Sequence, residues 1–200
     1  MAGATSALDR IRAERVVAVL RRVEDVDVVV DGLLRGGIRI VEVTLDSDDA
    51  LATIERLRAT SGLTVLAGTV RTPEAAAAAA AAGAEACVAP GLNPAMVRRC
   101  QELGLPAIPG ALTPSELEAA RALGAELIKL FPGSLGGPGY VRDVLAPLRD
   151  LGVIVTGGID SSNAREFLAA GAVGVGVGSA LTGAADVEAE ARRLLAAVSP

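Results

Sequence analysis

Histidine is absent from this chain, and lysine occurs only once among its 200 residues, at Lys129. Without histidine, the chain has no Ser-His-Asp or Cys-His nucleophile pair and no zinc site with histidine ligands. An enzyme of this composition has to work with Lys, Glu, Asp, Arg, Tyr, Thr or Ser, or with a cofactor. The other eighteen basic residues are arginines, whose guanidinium group keeps its proton at any working pH. Lys129 is therefore the one basic side chain that can lose its proton and attack a carbonyl carbon.

Aromatic residues, cysteines and long apolar runs are also scarce. Aromatic side chains make up 2% of the chain, the net charge is -5, and no basic tract is present, which argues against nucleic-acid binding. Cys87 and Cys100 do not have CxxC spacing and are typical of small apolar residues in a reducing compartment. No apolar run approaches the roughly 18 residues of a membrane span, and the N-terminal segment lacks the apolar stretch of a signal peptide. We therefore expect a cytoplasmic protein without a nucleic-acid or membrane partner.

Hydrophobic residues make up 51% of the chain, enough for one domain over residues 1–200. Short β-branched runs alternate with segments rich in Ala, Leu, Glu and Arg. The predicted strands are 16–20, 38–45, 64–70, 86–91, 106–111, 126–132, 152–159 and 172–179. The predicted helices are 24–36, 48–60, 73–82, 94–103, 114–123, 138–149, 161–170 and 184–197, with a short N-terminal helix at 5–14. Eight such units predict an α/β fold, a closed (β/α)8 TIM barrel. A doubly wound open sheet is the alternative, but it rarely has eight units, and no GxGxxG motif opens the first crossover.

Glu42 is the first candidate catalytic residue. Period-two alternation in the second strand places four residues on one face: Ile38, Ile40, Glu42 and Thr44. If the isoleucines fill the barrel, Glu42 points into it, where desolvation would raise its pKa and suit it to transfer protons. The alternative is a structural ion pair with Lys129 or Arg21. We favour a catalytic role, because a lone buried ion pair is a weak stabiliser.

Lys129 is the second candidate, within the apolar run Leu127–Phe131. Burial among these neighbours would lower the pKa of the amine from about 10.4 toward neutrality. A free amine could then form an imine with a carbonyl substrate. The alternative is a lysine that reaches the barrel rim, or that only pairs with Glu42.

Glycine-rich sequences follow the last two predicted strands, TGGI (156–159) and GVGVGSAL (174–181). TIM barrels often bind phosphate at these positions through backbone N–H groups, because glycine lets the main chain approach the anion closely. Ser179 adds a hydroxyl donor. Glycine in the last strand could equally serve tight packing at a barrel corner.

Together these sequences resemble one known family. The matching motifs run in order through all eight predicted units: EVTL (42–45), AGTV (67–70), APGL (89–92), IPGALTPSE (108–116), IKLFPG (128–133), GGPGYVRDVLAPL (136–148), VTGGI (155–159) and VGVGSAL (175–181). They are similar to the 2-keto-3-deoxy-6-phosphogluconate aldolases, a family that includes 4-hydroxy-2-oxoglutarate aldolases. The resemblance implies a class I aldolase that needs no metal or other cofactor and forms homotrimers.

The resemblance also implies roles for individual residues. Lys129 would form the imine and Glu42 would act as acid and base, while Thr69 would help to hold the pyruvate carboxylate. The phosphate of the substrate would bind at Gly157, Gly158 and Ser179. Further candidates for substrate contact at the strand ends are Thr44, Pro90, Phe131 and Gly178.

One position departs from the family pattern. Several members carry an arginine directly after EVTL, where this chain has Asp46. The related aldolases for the galactonate epimer also lack that arginine and carry one after the first strand, as this chain carries Arg21. We therefore expect Arg21 to bind the anionic substrate, a phosphorylated 2-keto acid.

Several alternatives remain open from the sequence. The chain could cleave the galactonate epimer or serve another pyruvate-dependent reaction. It could be another phosphate-binding barrel enzyme, such as an isomerase or a thiamine-phosphate-type synthase. A non-catalytic trimeric scaffold is the alternative outside enzymes.

Overall fold

Parallel strands form a barrel in the computed structural model, which describes residues 6–199. The strands are β1 (Val16–Leu20), β2 (Ile40–Thr44), β3 (Thr64–Gly68), β4 (Cys87–Val88), β5 (Ala107–Ile108), β6 (Gly110–Ala111), β7 (Leu127–Leu130), β8 (Gly152–Thr156) and β9 (Gly174–Val177). Their order around the sheet is β5-β4-β3-β2-β1-β9-β8-β7-β6, and each neighbouring pair is parallel. Because β5 and β6 are successive pieces of one strand position, this order returns the sheet to its starting point. The predicted (β/α)8 barrel is confirmed.

Within residues 6–199, one α-helix precedes β1, seven lie between strands and two follow β9. They are α1 (Ala7–Glu14), α2 (Val26–Gly36), α3 (Ala50–Leu57), α4 (Pro73–Ala81), α5 (Pro94–Glu102), α6 (Pro114–Ala122), α7 (Gly137–Leu145), α8 (Ala164–Ala169), α9 (Ser179–Thr182) and α10 (Val187–Val198). Three of them begin with proline behind a capping side chain, that of Thr72, Asn93 or Thr113. Residue 5 of the predicted N-terminal helix lies outside the described residues. The short helix α9 was not predicted, because its first residue was assigned to the last strand.

Pro109 divides the fifth strand position into two segments. The sequence predicted one strand over 106–111, but proline has no N–H to donate to a sheet. Segment β5 pairs with β4 and segment β6 pairs with β7. The carbonyl of Pro109 still accepts a hydrogen bond from the backbone N–H of Lys129 at 2.9 Å. This bond helps to hold Lys129 at the point where the barrel closes.

Two apolar layers surround the strands, one inside the barrel and one between strands and helices. The inner layer contains Val17, Ile40, Leu66, Val88, Ile108, Leu127 and Ile154. Leu8 and Ile11 of α1 belong to the same cluster, so the N-terminal helix packs against the barrel interior. The interior is thus largely apolar, and Glu42, Lys129 and Thr156 are the polar residues that line its void.

Ile38 differs from the alternation expected in the second strand. It belongs to the outer apolar layer, whereas Ile40 lies in the inner one. The backbone N–H of Ile38 donates to the carbonyl of Leu33 in α2 at 2.9 Å, behind Gly37 with a φ of 99°. Residue 38 therefore belongs to the end of the helix, and strand alternation begins only at Ile40. Within residues 6–199, no helix combines the length and apolar character needed to cross a membrane.

Candidate active site

Glu42 and Lys129 form an ion pair inside the barrel. Glu42 is the third residue of β2 and Lys129 the third of β7. The ammonium Nζ of Lys129 donates to Oε1 of Glu42 at 3.1 Å and approaches Oε2 at 3.4 Å. Glu42 is 2% exposed and Lys129 is 4% exposed. Such a pair is costly to desolvate and adds little net stability over apolar residues, which favours a chemical role.

Gly68, at the end of β3, leaves the space that the Glu42 side chain occupies. A methyl group on Gly68 would overlap the Glu42 carboxylate. Gly176 of β9 likewise leaves room for the side chain of Thr156, which a methyl group there would overlap. Glycine is therefore required at both positions, because a side chain from the neighbouring strand fills the space that a Cβ would take.

A cavity of about 260 Å³ opens above the ion pair. Its lining is Val19, Arg21, Lys129, Phe131, Thr156, Gly157, Gly158, Ile159, Gly176, Gly178 and Ser179. A smaller void beneath it is lined by Glu42, Lys129 and Thr156, among others. Lys129 thus borders both spaces, with the carboxylate of Glu42 on its inner side. The cavity volume suits a small ligand.

Phe131 follows Lys129 at the next inward position and lies against its amine. Nζ is 5.6 Å from the centre of the Phe131 ring, within the range of a cation–π contact. The ring also packs near Gly157, where an added Cβ would lie 3.3 Å from a ring carbon. The Phe131 ring therefore packs against both the amine and the glycine-rich wall of the cavity.

Glycines form most of the side of the cavity at the ends of β8 and β9. Gly157 and Gly158 have φ angles of 98° and 76°, a region that favours glycine. Gly178 has open space where a side chain would stand, and Ser179 follows it with a hydroxyl group. A wall of this kind suits a phosphate or another oxyanion.

Arg21 is the one arginine among the residues that line the cavity. Its Nη2 donates to Oγ1 of Thr69 at 3.3 Å, and its Nε lies 3.7 Å from Oδ2 of Asp46. Thr69 has a φ of 57°, an unusual conformation for a β-branched residue and one that clusters at functional sites. Burial raises the pKa of Asp46, but hydrogen bonds from Thr44 and Thr69 and the charge of Arg21 outweigh it, so the pKa lies below its ordinary value.

The structure thus brings most of the predicted site residues to one end of the barrel. Those that line the cavity are Arg21, Lys129, Phe131, Gly157, Gly158, Gly178 and Ser179. Glu42 lies below the cavity. Thr69 accepts a hydrogen bond from Arg21, which lines the cavity. Neither Thr44 nor Pro90 lines the cavity, because the hydroxyl of Thr44 lies 3.3 Å from the carbonyl of Leu20 and Pro90 packs against Gly110.

Thr156 borders both spaces, although the sequence indicated it only as part of TGGI and gave it no role of its own. The available signal was its position at the end of β8, directly before Gly157. Within residues 6–199, no cluster of three or more His, Cys, Asp or Glu side chains is arranged to hold a metal ion.

A buried amine beside a carboxylate, below a glycine-lined cavity at one end of a TIM barrel, is an arrangement typical of enzymes that act on small carbonyl compounds. The match to a known family narrows this class. The chain belongs to the KDPG and KHG aldolase family, whose family model matches residues 8–197. Members of this family are carbon–carbon lyases, so the chain is an aldehyde-lyase.

Individual relatives agree with the family match. A 2-dehydro-3-deoxy-phosphogluconate aldolase of Treponema pallidum is 39% identical over 165 residues, covering 82% of this chain and 78% of the relative. A probable 2-dehydro-3-deoxy-6-phosphogalactonate aldolase of Rhizobium meliloti is 34% identical, and the alignment covers 90% of this chain and 90% of the relative. The crystal structure of the KDPG aldolase from Legionella pneumophila, with pyruvate captured as a covalent carbinolamine intermediate, has a TM-score of 0.81 at 28% identity. The alignment covers 94% of each chain. The family prediction is confirmed.

Proposed function

We propose that this aldolase cleaves 2-keto-3-deoxy-6-phosphogluconate to pyruvate and glyceraldehyde 3-phosphate through an imine on Lys129. The observation that carries the proposal is the position of the Lys129 amine, which is buried beside the Glu42 carboxylate and belongs to a residue that lines the cavity. The cleavage of 4-hydroxy-2-oxoglutarate to pyruvate and glyoxylate is a second reaction of the same chemistry. That substrate has no phosphate group and would leave the glycine-rich wall unused.

The reaction begins when the amine of Lys129 adds to the C2 ketone to give a carbinolamine. Loss of water gives a protonated imine, which accepts the electron pair of the C3–C4 bond when that bond breaks. Glu42, through a water molecule, takes the proton of the C4 hydroxyl, so the aldehyde product leaves. The resulting enamine is protonated at C3, and water then hydrolyses the imine to release pyruvate and the free amine.

The two ends of the substrate meet different parts of the cavity. We assign the phosphate to the backbone N–H groups of Gly157 and Gly158 and to Ser179, and the pyruvate carboxylate to Thr69 and Arg21. The Rhizobium meliloti relative is named for the galactonate epimer, so that epimer is the second candidate substrate. Comparison of pyruvate release from the two epimers would decide which one the enzyme prefers.

Borohydride reduction in the presence of pyruvate tests the imine directly. Because the chain has one lysine, a reduced adduct can lie only on Lys129 or on the terminal amine. We expect intact mass to show one added pyruvate unit and peptide mapping to place it on Lys129. Folded protein without an adduct, or with an adduct on the terminal amine alone, would contradict the proposal.

We also propose a homotrimer in the cytoplasm. The resemblance supports this assembly, and the exposed apolar side chains of Val28 and Leu135, 64% and 71% accessible, could be covered in it. Sedimentation equilibrium would give the mass of a trimer if the proposal is right and that of a single chain if it is wrong.

Replacement of Gly68 by alanine should slow turnover without unfolding the barrel. The new methyl group occupies the position of the Glu42 carboxylate, so Glu42 has to move away from Lys129. A displacement of about 1 Å at a reacting group can reduce a rate about 10²-fold. Gly139→Ala is the matched control, because a methyl group there meets no other atom within 4 Å. Pyruvate release measures both variants, and equal turnover in the two would contradict the expected displacement of Glu42.

A further inference from the structure

The loop after β2 is fastened to the loop after β1 by contacts that fix Asp46 in place. The backbone N–H of Arg22 donates to Oγ of Ser47 at 2.9 Å, and Nε of Arg22 donates to the backbone carbonyl of Asp46 at 3.4 Å. Oγ of Ser47 is also 3.0 Å from Oγ1 of Thr44. These contacts hold Asp46 beside Arg21 without relying on the ion pair between the two side chains.

The Arg21 guanidinium is restrained at two of its nitrogens. Asp46 contacts Nε and Thr69 accepts from Nη2, which leaves other N–H donors of the group free for a ligand. The side chains of Arg21 and Asp46 are 46% and 35% exposed. An ion pair this exposed adds little to stability, so its main physical effect is on the orientation of the arginine.

Both contacts direct Arg21 to the same side of the barrel. Strand β1 lies between β2 and β9 in the sheet order. Asp46 follows β2 and Thr69 follows β3, whereas the glycine-rich wall follows β8 and β9. Arg21 borders the cavity that this wall encloses. Its contacts with Thr69 and Asp46, however, hold the guanidinium on the side of β2 and β3, away from the wall.

A carboxylate in contact with the arginine of an anion-binding cavity also has a cost. Asp46 carries the same charge as the substrate and repels it, so a carboxylate with no positioning role would only weaken binding. A neutral side chain would satisfy the backbone contacts of this loop equally well. The charge of Asp46 therefore needs a function that offsets the repulsion.

We propose that Asp46 is a positioning residue that holds Arg21 toward the carboxylate of the 2-keto acid and away from the phosphate site. This inference rests on the proposed function and deepens it, because it divides the two anionic ends of the substrate between two parts of the cavity. Without Asp46, Arg21 can turn toward the ends of β8 and β9. Pyruvate then loses a preoriented partner, while a phosphate gains an additional cation.

Asp46→Asn tests the proposal through two affinities that should change in opposite directions. The pyruvate concentration for half-maximal borohydride trapping should rise about 2- to 10-fold, the cost of fixing a flexible side chain on binding. The inhibition constant of inorganic phosphate in the cleavage reaction should fall. A general loosening of the loop would weaken both ligands together, and that result would overturn the proposal.

Asp48→Asn is the matched control, because Asp48 lies two residues further along the loop and forms no ion pair among residues 6–199. We expect it to leave both affinities within about twofold, as surface substitutions usually have small effects. The coupling to Arg21 is tested by Asp46→Asn in an Arg21→Ala background. There the substitution should have no further effect on pyruvate, and an additive effect would overturn the proposal.

The same variants separate this inference from the function on which it rests. If Arg21→Ala leaves pyruvate affinity unchanged, Arg21 does not bind the carboxylate and the proposal for Asp46 fails with it. The imine on Lys129 would still be trapped in that case. Failure to trap pyruvate in the unaltered enzyme would instead overturn the proposed function.

Discussion

Lys129→Arg should abolish pyruvate release and borohydride trapping while the positive charge remains beside Glu42. A guanidinium does not lose its proton at working pH, so it cannot attack the C2 ketone. Removal of a covalent nucleophile typically costs at least about 10⁴-fold in turnover. Pyruvate release and intact mass after reduction measure the two effects. Appreciable turnover in this variant would contradict the imine mechanism.

Loss of activity in Lys129→Arg could also come from the larger side chain in a buried site. Lys129→Cys followed by alkylation with 2-bromoethylamine separates the two causes, because it restores an amine at nearly the original position. Cys87 and Cys100 are both fully buried, so the unaltered enzyme treated in the same way is a suitable control. Restored turnover would assign the loss to the missing amine, whereas an inactive alkylated protein with a native fold would contradict that assignment.

The order of the barrel units could be predicted from the sequence because each unit carries its own local signal. β-Branched runs specify strands, and a proline behind a capping residue specifies the start of α4, α5 and α6. Prediction from the sequence fails where two local rules apply to the same residue. Ile38 fits the strand alternation, but its backbone completes the end of helix α2, so its side chain lies outside the barrel.

The chemical identity of the site could be predicted more fully than its geometry. A single lysine and a carboxylate in an apolar strand indicate their own burial, and both are buried. Their distance could not be predicted, because it depends on two strands from opposite sides of the barrel and on the space left by Gly68. The contact between Arg21 and Asp46 joins two separate loops and has no local sequence signal.

Glu42→Gln should separate imine formation from cleavage. Glutamine keeps the shape of glutamate and can still accept a hydrogen bond from Lys129, but its amide cannot take the proton of the C4 hydroxyl. General acid–base help of this kind contributes about 10²–10⁴-fold, so pyruvate release should fall by that factor. Borohydride should still trap pyruvate on Lys129, since the nucleophile is intact.

Retained trapping with slow cleavage would identify Glu42 as the group that moves the proton. Loss of both activities in a folded variant would instead mean that Glu42 is needed for the nucleophile itself, by positioning the amine. Turnover close to that of the unaltered enzyme would mean that the buried ion pair has only a structural role. The distinction matters because the two side chains are in contact at 3.1 Å, so their static geometry is the same under all three interpretations.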